Sequence, residues 1–284
     1  MQFNFLREFN IQKIAFIIGI CIFLLMTVIL TGCYVEDPRA IHLNQTTKQV
    51  MIDSTFVGDT FPIYISLPQD YYDNPGIFYD VVYLLDGDWY FTETQKMICS
   101  HVANNEMRPV ILVGIGNSAQ RNRDYTPTNV IDYPITGGGP KFAAFIKDEL
   151  IPYIDFNYRT VANPANRCLA GHSLGGLFAY YALFFYNDTF NKIIAASSYL
   201  CWDNGVTFQY EADFAGSHTA LPVMFYTTIC TGDYSLNPYQ NEMLKRLKSR
   251  NYAGFILLSD SFEGDSHIYS WKPSFDNGLT RFFQ

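Results

Sequence analysis

Residues 166–176 read Asn-Arg-Cys-Leu-Ala-Gly-His-Ser-Leu-Gly-Gly, and this stretch decides how the rest of the chain is interpreted. An apolar run leads into Gly171, and a second apolar run, 177–186, follows Gly176. The pattern Gly-x-Ser-x-Gly between a strand and a helix is typical of a sharp turn that exposes the serine hydroxyl. Side chains two residues from the serine would crowd that turn, which is why glycine stands there. The stretch predicts a strand that ends at a nucleophilic Ser173.

Apolar strand-like runs recur on both sides of this turn and alternate with helix-like segments. Runs without polar alternation are typical of strands that are buried on both faces. The strand-like runs are 50–57, 61–67, 80–85, 109–115, 166–170, 192–197, 222–230 and 254–259. The helix-like segments are 90–103, 140–151, 174–186 and 238–250. This order predicts an α/β fold with a mostly parallel central sheet and helices on both faces, and a polar loop over 116–139.

Composition and charge narrow the classes of function. Of 284 residues, 49% are apolar and 16% charged, which argues against a disordered chain. The net charge of −8, without a dominant basic patch, argues against a nucleic-acid partner. A Gly-x-Gly-x-x-Ala run at 114–119 leads into a polar loop instead of a helix, so no dinucleotide site is expected. No Cys/His spacing typical of a metal site occurs in the sequence, and we expect no cofactor and no metal.

The N-terminus resembles the leader of a bacterial lipoprotein. Two basic residues precede an apolar run over 14–30, and Leu-Thr-Gly-Cys follows at 30–33. Short side chains before a cleavage point suit a signal peptidase, and a cysteine directly after them resembles a lipobox. The alternative is an uncleaved membrane span, since the run is just long enough to cross a bilayer.

This leader sets the expected domains and location. Residues 1–32 would be removed, Cys33 would carry the lipid, 33–48 would form a tether and 49–284 the catalytic domain. Multiple acyl chains on one cysteine give stable anchoring. We therefore expect an extracytoplasmic protein of the cell envelope, attached to a membrane. Disulfides are possible in that compartment, although Cys168 and Cys230 lie in apolar runs typical of core positions.

His267 is the expected general base. In a parallel sheet the functional residues follow the carboxyl ends of strands. His42 and His101 come too early in the chain, His172 adjoins the nucleophile, and His218 precedes a strand. Only His267 follows both the serine and a strand, which is the order that the serine hydrolases of this fold require.

The acid that would orient His267 is less firmly indicated. Asp233 follows the strand before the last one, where the acid is expected, and would hold the imidazole tautomer. Asp260, Glu263 and Asp265 are rivals because they lie close to His267 in sequence. A serine–histidine pair that works without a carboxylate also stays open.

Together with the nucleophile elbow, which is the Gly-x-Ser-x-Gly turn at 171–175, several segments resemble the putative-esterase family of α/β-hydrolases. That family includes siderophore esterases such as enterochelin esterase, S-formylglutathione hydrolase, feruloyl esterases and mycolyltransferases. The segments are Val-Tyr-Leu-Leu-Asp-Gly at 82–87, Arg-Asp-Tyr-Thr-Pro at 123–127, Ser-Ser-Tyr-Leu-Cys-Trp-Asp at 197–203 and Gly-Asp-Ser-His at 264–267.

The resemblance implies further site residues. The backbone N–H of Leu174, at the start of the helix after the elbow, would be one oxyanion donor. By the resemblance, the N–H of Asp88 would be the second, and Trp202 would line the substrate pocket together with the 121–127 loop, which contains Arg123 and Tyr125. One position departs from the family pattern: Ser235 stands where related esterases often place a carboxylate.

The sequence is therefore interpreted as a serine carboxylic-ester hydrolase that forms an acyl-enzyme on Ser173. The expected substrates are small-molecule esters, such as those of siderophores, or glycan-linked esters. The alternatives are an acyltransferase, or a non-catalytic envelope protein that binds a ligand in a hydrolase-like pocket.

Overall fold

The computed structural model describes residues 47–133, 135–263 and 267–284. The predicted leader, the lipidation site Cys33 and all but the end of the predicted tether lie outside the described residues. The first strand begins at Thr47 rather than at residue 49, so the last two residues of the expected tether belong to the sheet. Among the helices of the described ranges, none is both long and apolar enough to cross a bilayer.

Eight strands form one sheet in the order β1-β2-β4-β3-β5-β6-β7-β8. Only the pairs β1–β2 and β2–β4 are antiparallel, while all other neighbours run parallel. The first four strands are β1 Thr47–Ser54, β2 Asp59–Ser66, β3 Asp80–Leu84 and β4 Val110–Ile115. The last four are β5 Arg167–His172, β6 Lys192–Ala196, β7 Met224–Cys230 and β8 Ile256–Phe262. The mostly parallel sheet predicted from the apolar runs is confirmed.

Helices join the strands and cover both faces of the sheet. They are α1 Gly87–Ala103, α2 Arg121–Tyr125, α3 Gly139–Ala144, α4 Ile151–Asn157, α5 Leu174–Phe185, α6 Val206–Ser217, α7 Asn237–Arg250 and α8 Trp271–Phe283. A π-helical segment, Phe145–Leu150, links α3 to α4, and short 3₁₀ turns occur at Ser118–Gln120, Pro164–Asn166 and Trp202–Asn204.

Two apolar cores lie on opposite faces of the sheet. On one face α1 and α8 pack through Phe91 and Phe275 against strand residues such as Val82 and Ile194. On the other face α3, α5, α6 and α7 cover the remaining strand side chains. Each fully buried large side chain of this kind contributes about 1.5–3 kcal/mol. The two cores therefore hold the sheet from both sides.

Two helices and part of a loop differ from the sequence prediction. Helices α6 and α8 were not expected, because α6 begins with alternating apolar and polar residues, which is typical of a strand, and α8 contains Pro273 and Gly278. Pro273 lies in the first turn, where proline is tolerated. A Cβ on Gly278 would lie 2.8 Å from side-chain atoms of Ile194 and Tyr226, so glycine lets α8 approach the sheet closely. Within the predicted loop 116–139, residues 118–125 are helical.

Candidate active site

Ser173 occupies a strained turn between β5 and α5. Its backbone angles are φ 60° and ψ −115°, a region that non-glycine residues rarely adopt and that costs about 1–3 kcal/mol. The turn is held by main-chain hydrogen bonds: the Ser173 N–H donates to the Ala196 carbonyl at 3.0 Å, and the Tyr199 N–H donates to the Ser173 carbonyl at 3.0 Å. A Cβ on Gly171 would overlap the backbone of Gly175, which explains the first glycine of the motif.

His267 contacts the nucleophile. Its Nε2 lies 2.8 Å from the Ser173 Oγ, which is within hydrogen-bonding distance. The two residues are 94 positions apart in sequence and meet because β5 and β8 both end at the carboxyl edge of the sheet. The structure thus brings together the predicted nucleophile and the predicted base.

Asp233 lies on the other side of the imidazole. It follows β7, and its Oδ2 is 2.6 Å from the His267 Nδ1. The Ser235 hydroxyl donates to the Asp233 Oδ1 at 3.1 Å, so the residue that departs from the family pattern contacts the acid. Of the rival acids, Asp260 is engaged elsewhere, 2.8 Å from the guanidinium of Arg281, while Asp265 lies outside the described residues.

The surroundings of His267 shift its protonation equilibrium. Burial and the positive charge of Arg121 lower the pKa of His267, while Asp233 acts in the opposite direction and raises it. The net direction is downward, so the imidazole is neutral at neutral pH. A neutral imidazole that points Nε2 at a serine hydroxyl can accept its proton.

The predicted oxyanion donors lie at two helix N-termini. Leu174 is the first residue of α5, so its N–H has no acceptor within the helix. Asp88 lies in the first turn of α1, which is held by N–H groups of Trp89 and Tyr90 that donate to the Asp86 carbonyl. The carboxylate of Asp88 accepts from the Tyr64 hydroxyl and from the Ser118 N–H, each at 2.8 Å. Its backbone N–H as the second oxyanion donor stays a prediction.

A cavity of about 310 Å³ opens directly onto the nucleophile. It is lined by Trp89, Tyr90, Arg121, His172, Ser173, His267, Ile268 and Trp271. Another cavity, of about 410 Å³, adjoins the amino end of β4 and Cys99, and none of its lining residues is shared with this one. The cavity at Ser173 is the relevant one because it joins the predicted nucleophile, the predicted base and an apolar wall.

Arg123 and Tyr125, which the resemblance places at the pocket, are not among the residues that line this cavity. Arg123 pairs with Asp124 at 2.7 Å and with Asp59 at 2.9 Å. Tyr125 is only 2% exposed, and its hydroxyl accepts the Asp86 N–H at 2.8 Å. Both lie on the short helix α2, where Arg121 instead reaches the cavity. Sequence order alone did not show which side of that helical turn faces the site.

Trp202 is also not among the residues that line the cavity. It is 6% exposed, and its indole N–H donates to the Thr128 Oγ at 3.1 Å. Its ring lies 5.6 Å from that of Tyr133. Trp202 therefore braces the long loop 116–139, and a direct contact with substrate stays a prediction.

The sequence did not indicate five residues of the cavity wall: Trp89, Tyr90, His172, Ile268 and Trp271. Arg121 forms a two-point ion pair with the buried Asp86, with nitrogen–oxygen distances of 2.9 and 3.0 Å. Its guanidinium also lies 5.1 Å from the ring centre of Trp89. The sequence did contain a signal for the two tryptophans of the wall. Trp89 follows the Leu-Asp-Gly turn, and Trp271 follows His267 closely, so both lie near predicted site residues in the chain.

A serine at a strained strand-to-helix turn, in contact with a histidine after the last strand, defines a serine hydrolase of the α/β-hydrolase class. Residues 54–282 match the family described as "Putative esterase". Because the match covers most of the chain, the chain belongs to this esterase family. It is a carboxylic ester hydrolase.

Similar proteins agree with this assignment. The chain is 27% identical over 247 residues to the ferri-bacillibactin esterase BesA of Bacillus subtilis (strain 168), which covers 78% of this chain and 84% of BesA. It is 25% identical over 242 residues to the siderophore triacetylfusarinine C esterase of Aspergillus fumigatus, covering 72% and 81% of the two chains. In structure it resembles the BES protein from Bacillus cereus, with a TM-score of 0.76, 25% identity and coverage of 86% and 97%.

Proposed function

We propose that this chain is a serine esterase that cleaves the ester bonds of a siderophore through an acyl-enzyme on Ser173. The observation that carries the proposal is the 2.8 Å contact between His267 Nε2 and Ser173 Oγ at the floor of an open cavity. The relatives named as siderophore esterases support the substrate class.

In the first half of the reaction, the Ser173 oxygen attacks the ester carbonyl carbon while His267 Nε2 takes the hydroxyl proton. The imidazolium that forms is stabilised by the Asp233 carboxylate at 2.6 Å. The oxyanion accepts the N–H of Leu174 at the positive end of α5, together with the N–H of Asp88. When the tetrahedral intermediate collapses, the alcohol leaves with the proton that His267 returns, and the acyl group stays on Ser173.

In the second half, water replaces the alcohol. His267 takes a proton from the water, whose oxygen attacks the acyl carbon, and the ester bond to Ser173 breaks. The serine oxygen regains its proton from His267, and the carboxylic acid is released. The free enzyme is regenerated without any cofactor.

The cavity wall favours a flat or apolar group next to the scissile ester. The Trp89 side chain is 43% exposed, and the Trp271 ring lies 4.6 Å from that of Tyr90. Aromatic faces of this kind provide a large contact area, and the nearby guanidinium of Arg121 adds positive charge. This combination suits an ester that carries a hydroxylated aryl group near the scissile bond better than an ester of a bare sugar.

The activity is tested with a panel of esters that includes a siderophore trilactone, feruloyl sugars and simple acyl esters. We expect the trilactone to be hydrolysed most efficiently, and Ser173→Ala to lower kcat by roughly three to six orders of magnitude. Ser249→Ala is the matched control, because Ser249 is exposed on α7 and donates only to the Arg246 carbonyl. Unchanged hydrolysis by the Ser173→Ala protein would refute the nucleophile.

Two further measurements distinguish the esterase from a non-catalytic ligand-binding protein and from an acyltransferase. A fluorophosphonate probe labels only an activated serine, so an unlabelled, folded protein would indicate a ligand-binding role instead. Product analysis with an added alcohol distinguishes hydrolysis from acyl transfer. A preference for feruloyl sugars over the trilactone would overturn the substrate class while leaving the esterase activity in place.

We also propose that a lipid on Cys33 holds the enzyme at a bacterial membrane, outside the cytoplasm. The support is the Leu-Thr-Gly-Cys sequence after an apolar run. Metabolic labelling with a palmitate analogue should mark the wild-type protein and not Cys33→Ser. Equal labelling of both proteins would contradict the assignment.

A further inference from the structure

We propose that His172, the residue before the nucleophile, is a positioning residue that holds the main chain of His267 in place for proton transfer. The inference rests on the proposed esterase function. It was not evident from the sequence, where His172 is excluded as the base because it adjoins Ser173.

The contact is direct. His172 is only 2% exposed, and its Nε2–H donates to the backbone carbonyl of His267 at 2.9 Å. The two imidazole rings lie 4.7 Å apart and are tilted by 35°. One histidine at the end of β5 therefore fixes both the position and the tilt of the histidine that contacts Ser173.

The partners of the ring also fix its tautomer. Because Nε2 faces a carbonyl, which only accepts hydrogen bonds, Nε2 must carry the proton. Nδ1 is then the acceptor, and the Tyr90 hydroxyl lies 3.1 Å away and donates to it. Tyr90 is held in turn by the rings of Trp271 and Phe275, at 4.6 and 5.8 Å. His172 and Tyr90 thus form a brace that joins β5, α1, α8 and the turn that contains His267.

The charge state suits a brace and not a second base. Burial lowers the pKa of His172 to about 3, and the charges of His267 and Arg121 act in the same direction. The other groups that face the ring, the hydroxyls of Tyr90 and Ser270, carry no charge at neutral pH. His172 is therefore neutral wherever the enzyme would work, and its Nε2–H stays available to the His267 carbonyl.

Among the described residues, one further side chain contacts the His267 carbonyl. The Ser270 hydroxyl lies 2.8 Å from the His267 carbonyl and 2.9 Å from the Ser197 Oγ. It has a single proton, so it can donate fully to only one of these two acceptors. His172 is the other side chain, within the part of the chain that is described, that donates to this carbonyl. Losing the brace would let His267 drift, and a displacement of about 1 Å at a reacting pair can cost about 10² in rate.

The test compares two substitutions of the same residue. His172→Phe keeps a ring but removes both polar contacts, whereas His172→Gln keeps an N–H donor near the Nε2 position. For His172→Phe we expect kcat to fall by about 10² with KM unchanged, and fluorophosphonate labelling of Ser173 to slow by a similar factor. His172→Gln should recover at least about tenfold of that loss. His218→Phe is the matched control, since His218 is exposed and lies outside the cavity.

Tyr90→Phe gives an independent readout if His172→Phe fails to fold. It leaves the imidazole in place but removes the hydroxyl that donates to Nδ1 and helps to hold the ring, so kcat should fall by about fivefold without a change in KM. A folded His172→Phe protein with wild-type kcat, or a His172→Gln protein no better than His172→Phe, would overturn the positioning role. If the wild-type protein hydrolyses esters, either of these results leaves the esterase function intact. A wild-type protein that hydrolyses no ester and is not labelled by the fluorophosphonate probe would refute the esterase function itself.

Discussion

Replacing Gly171 by alanine should damage both stability and catalysis, and the structure gives the size of the effect. A Cβ at this position would lie 2.5 Å from the carbonyl carbon of Gly175 and even closer to its oxygen. Carbon atoms in contact are normally about 3.5–4.0 Å apart, so the backbone of the turn must open by about 1 Å. Overpacking of this kind typically costs about 1–3 kcal/mol. Since the contact is with main chain and not with a flexible side chain, we expect the upper end, about 3 kcal/mol.

Two measurements check the prediction. For a domain of this size a loss of about 3 kcal/mol lowers the melting temperature by about 6–12 °C. The same opening moves Ser173 away from His267, so kcat should fall by about 10² at temperatures where the variant is folded. Thermal unfolding followed by circular dichroism gives the first quantity, and steady-state ester hydrolysis gives the second.

Gly216→Ala is the matched control for the same substitution. A Cβ on Gly216 meets nothing within 4 Å, and the residue lies in α6. Alanine should stabilise this helix by up to about 1 kcal/mol and leave kcat unchanged. If the Gly171→Ala protein has the same melting temperature and the same kcat as the Gly216→Ala protein, the account of the strained turn is refuted.

Further predictions concern the charged groups around the nucleophile. Asp233→Asn should lower kcat by about 10²–10⁴, because the imidazolium loses its partner carboxylate; a loss confined to KM would contradict this role. Since a neutral His267 is the base and burial lowers its pKa, kcat/KM should rise with pH through an acid limb centred below about 6.5 and then level off. Asp233→Asn removes the interaction that raises this pKa, so its limb should move to still lower pH; a shift upward in pH–rate profiles would contradict the assignment. Arg121→Met leaves the carboxylate of Asp86 buried without its ion-pair partner and should cost about 3–5 kcal/mol in urea unfolding, whereas a change below about 1 kcal/mol would mean that Asp86 is neutral.

The sheet and the serine–histidine pair were predictable from the sequence because each depends on chain order. Buried parallel strands need continuous apolar runs, and a parallel sheet brings the residues after each strand to one edge. Ser173, Asp233 and His267 follow β5, β7 and β8, so their proximity follows from topology. No packing detail was needed to place Ser173 and His267, whereas the preference for Asp233 over Asp260 comes from the contacts that the two carboxylates make.

The cavity wall could not be predicted in the same way. Arg121, Arg123 and Tyr125 lie within one short helix, and which of them faces the nucleophile depends on the carboxylates that they meet. Asp86 holds Arg121 at the site, while Asp59 and Asp124 hold Arg123 away from it. Helix α8 was missed for a related reason, since Gly278 reads as a helix breaker until its contact with Ile194 is seen.

The position of β8 at the edge of the sheet has a consequence for how the enzyme would fail on heating. This strand pairs only with β7, and Ile256 at its start is 49% exposed. Edge elements with few buried contacts open locally at a lower free energy than the centre of a sheet. His267 follows β8, whereas Ser173 follows β5 in the interior of the sheet. Local opening of β8 would therefore move the general base away from the nucleophile. On heating, kcat should therefore fall at a temperature below that of global unfolding, and it should recover when the enzyme is cooled.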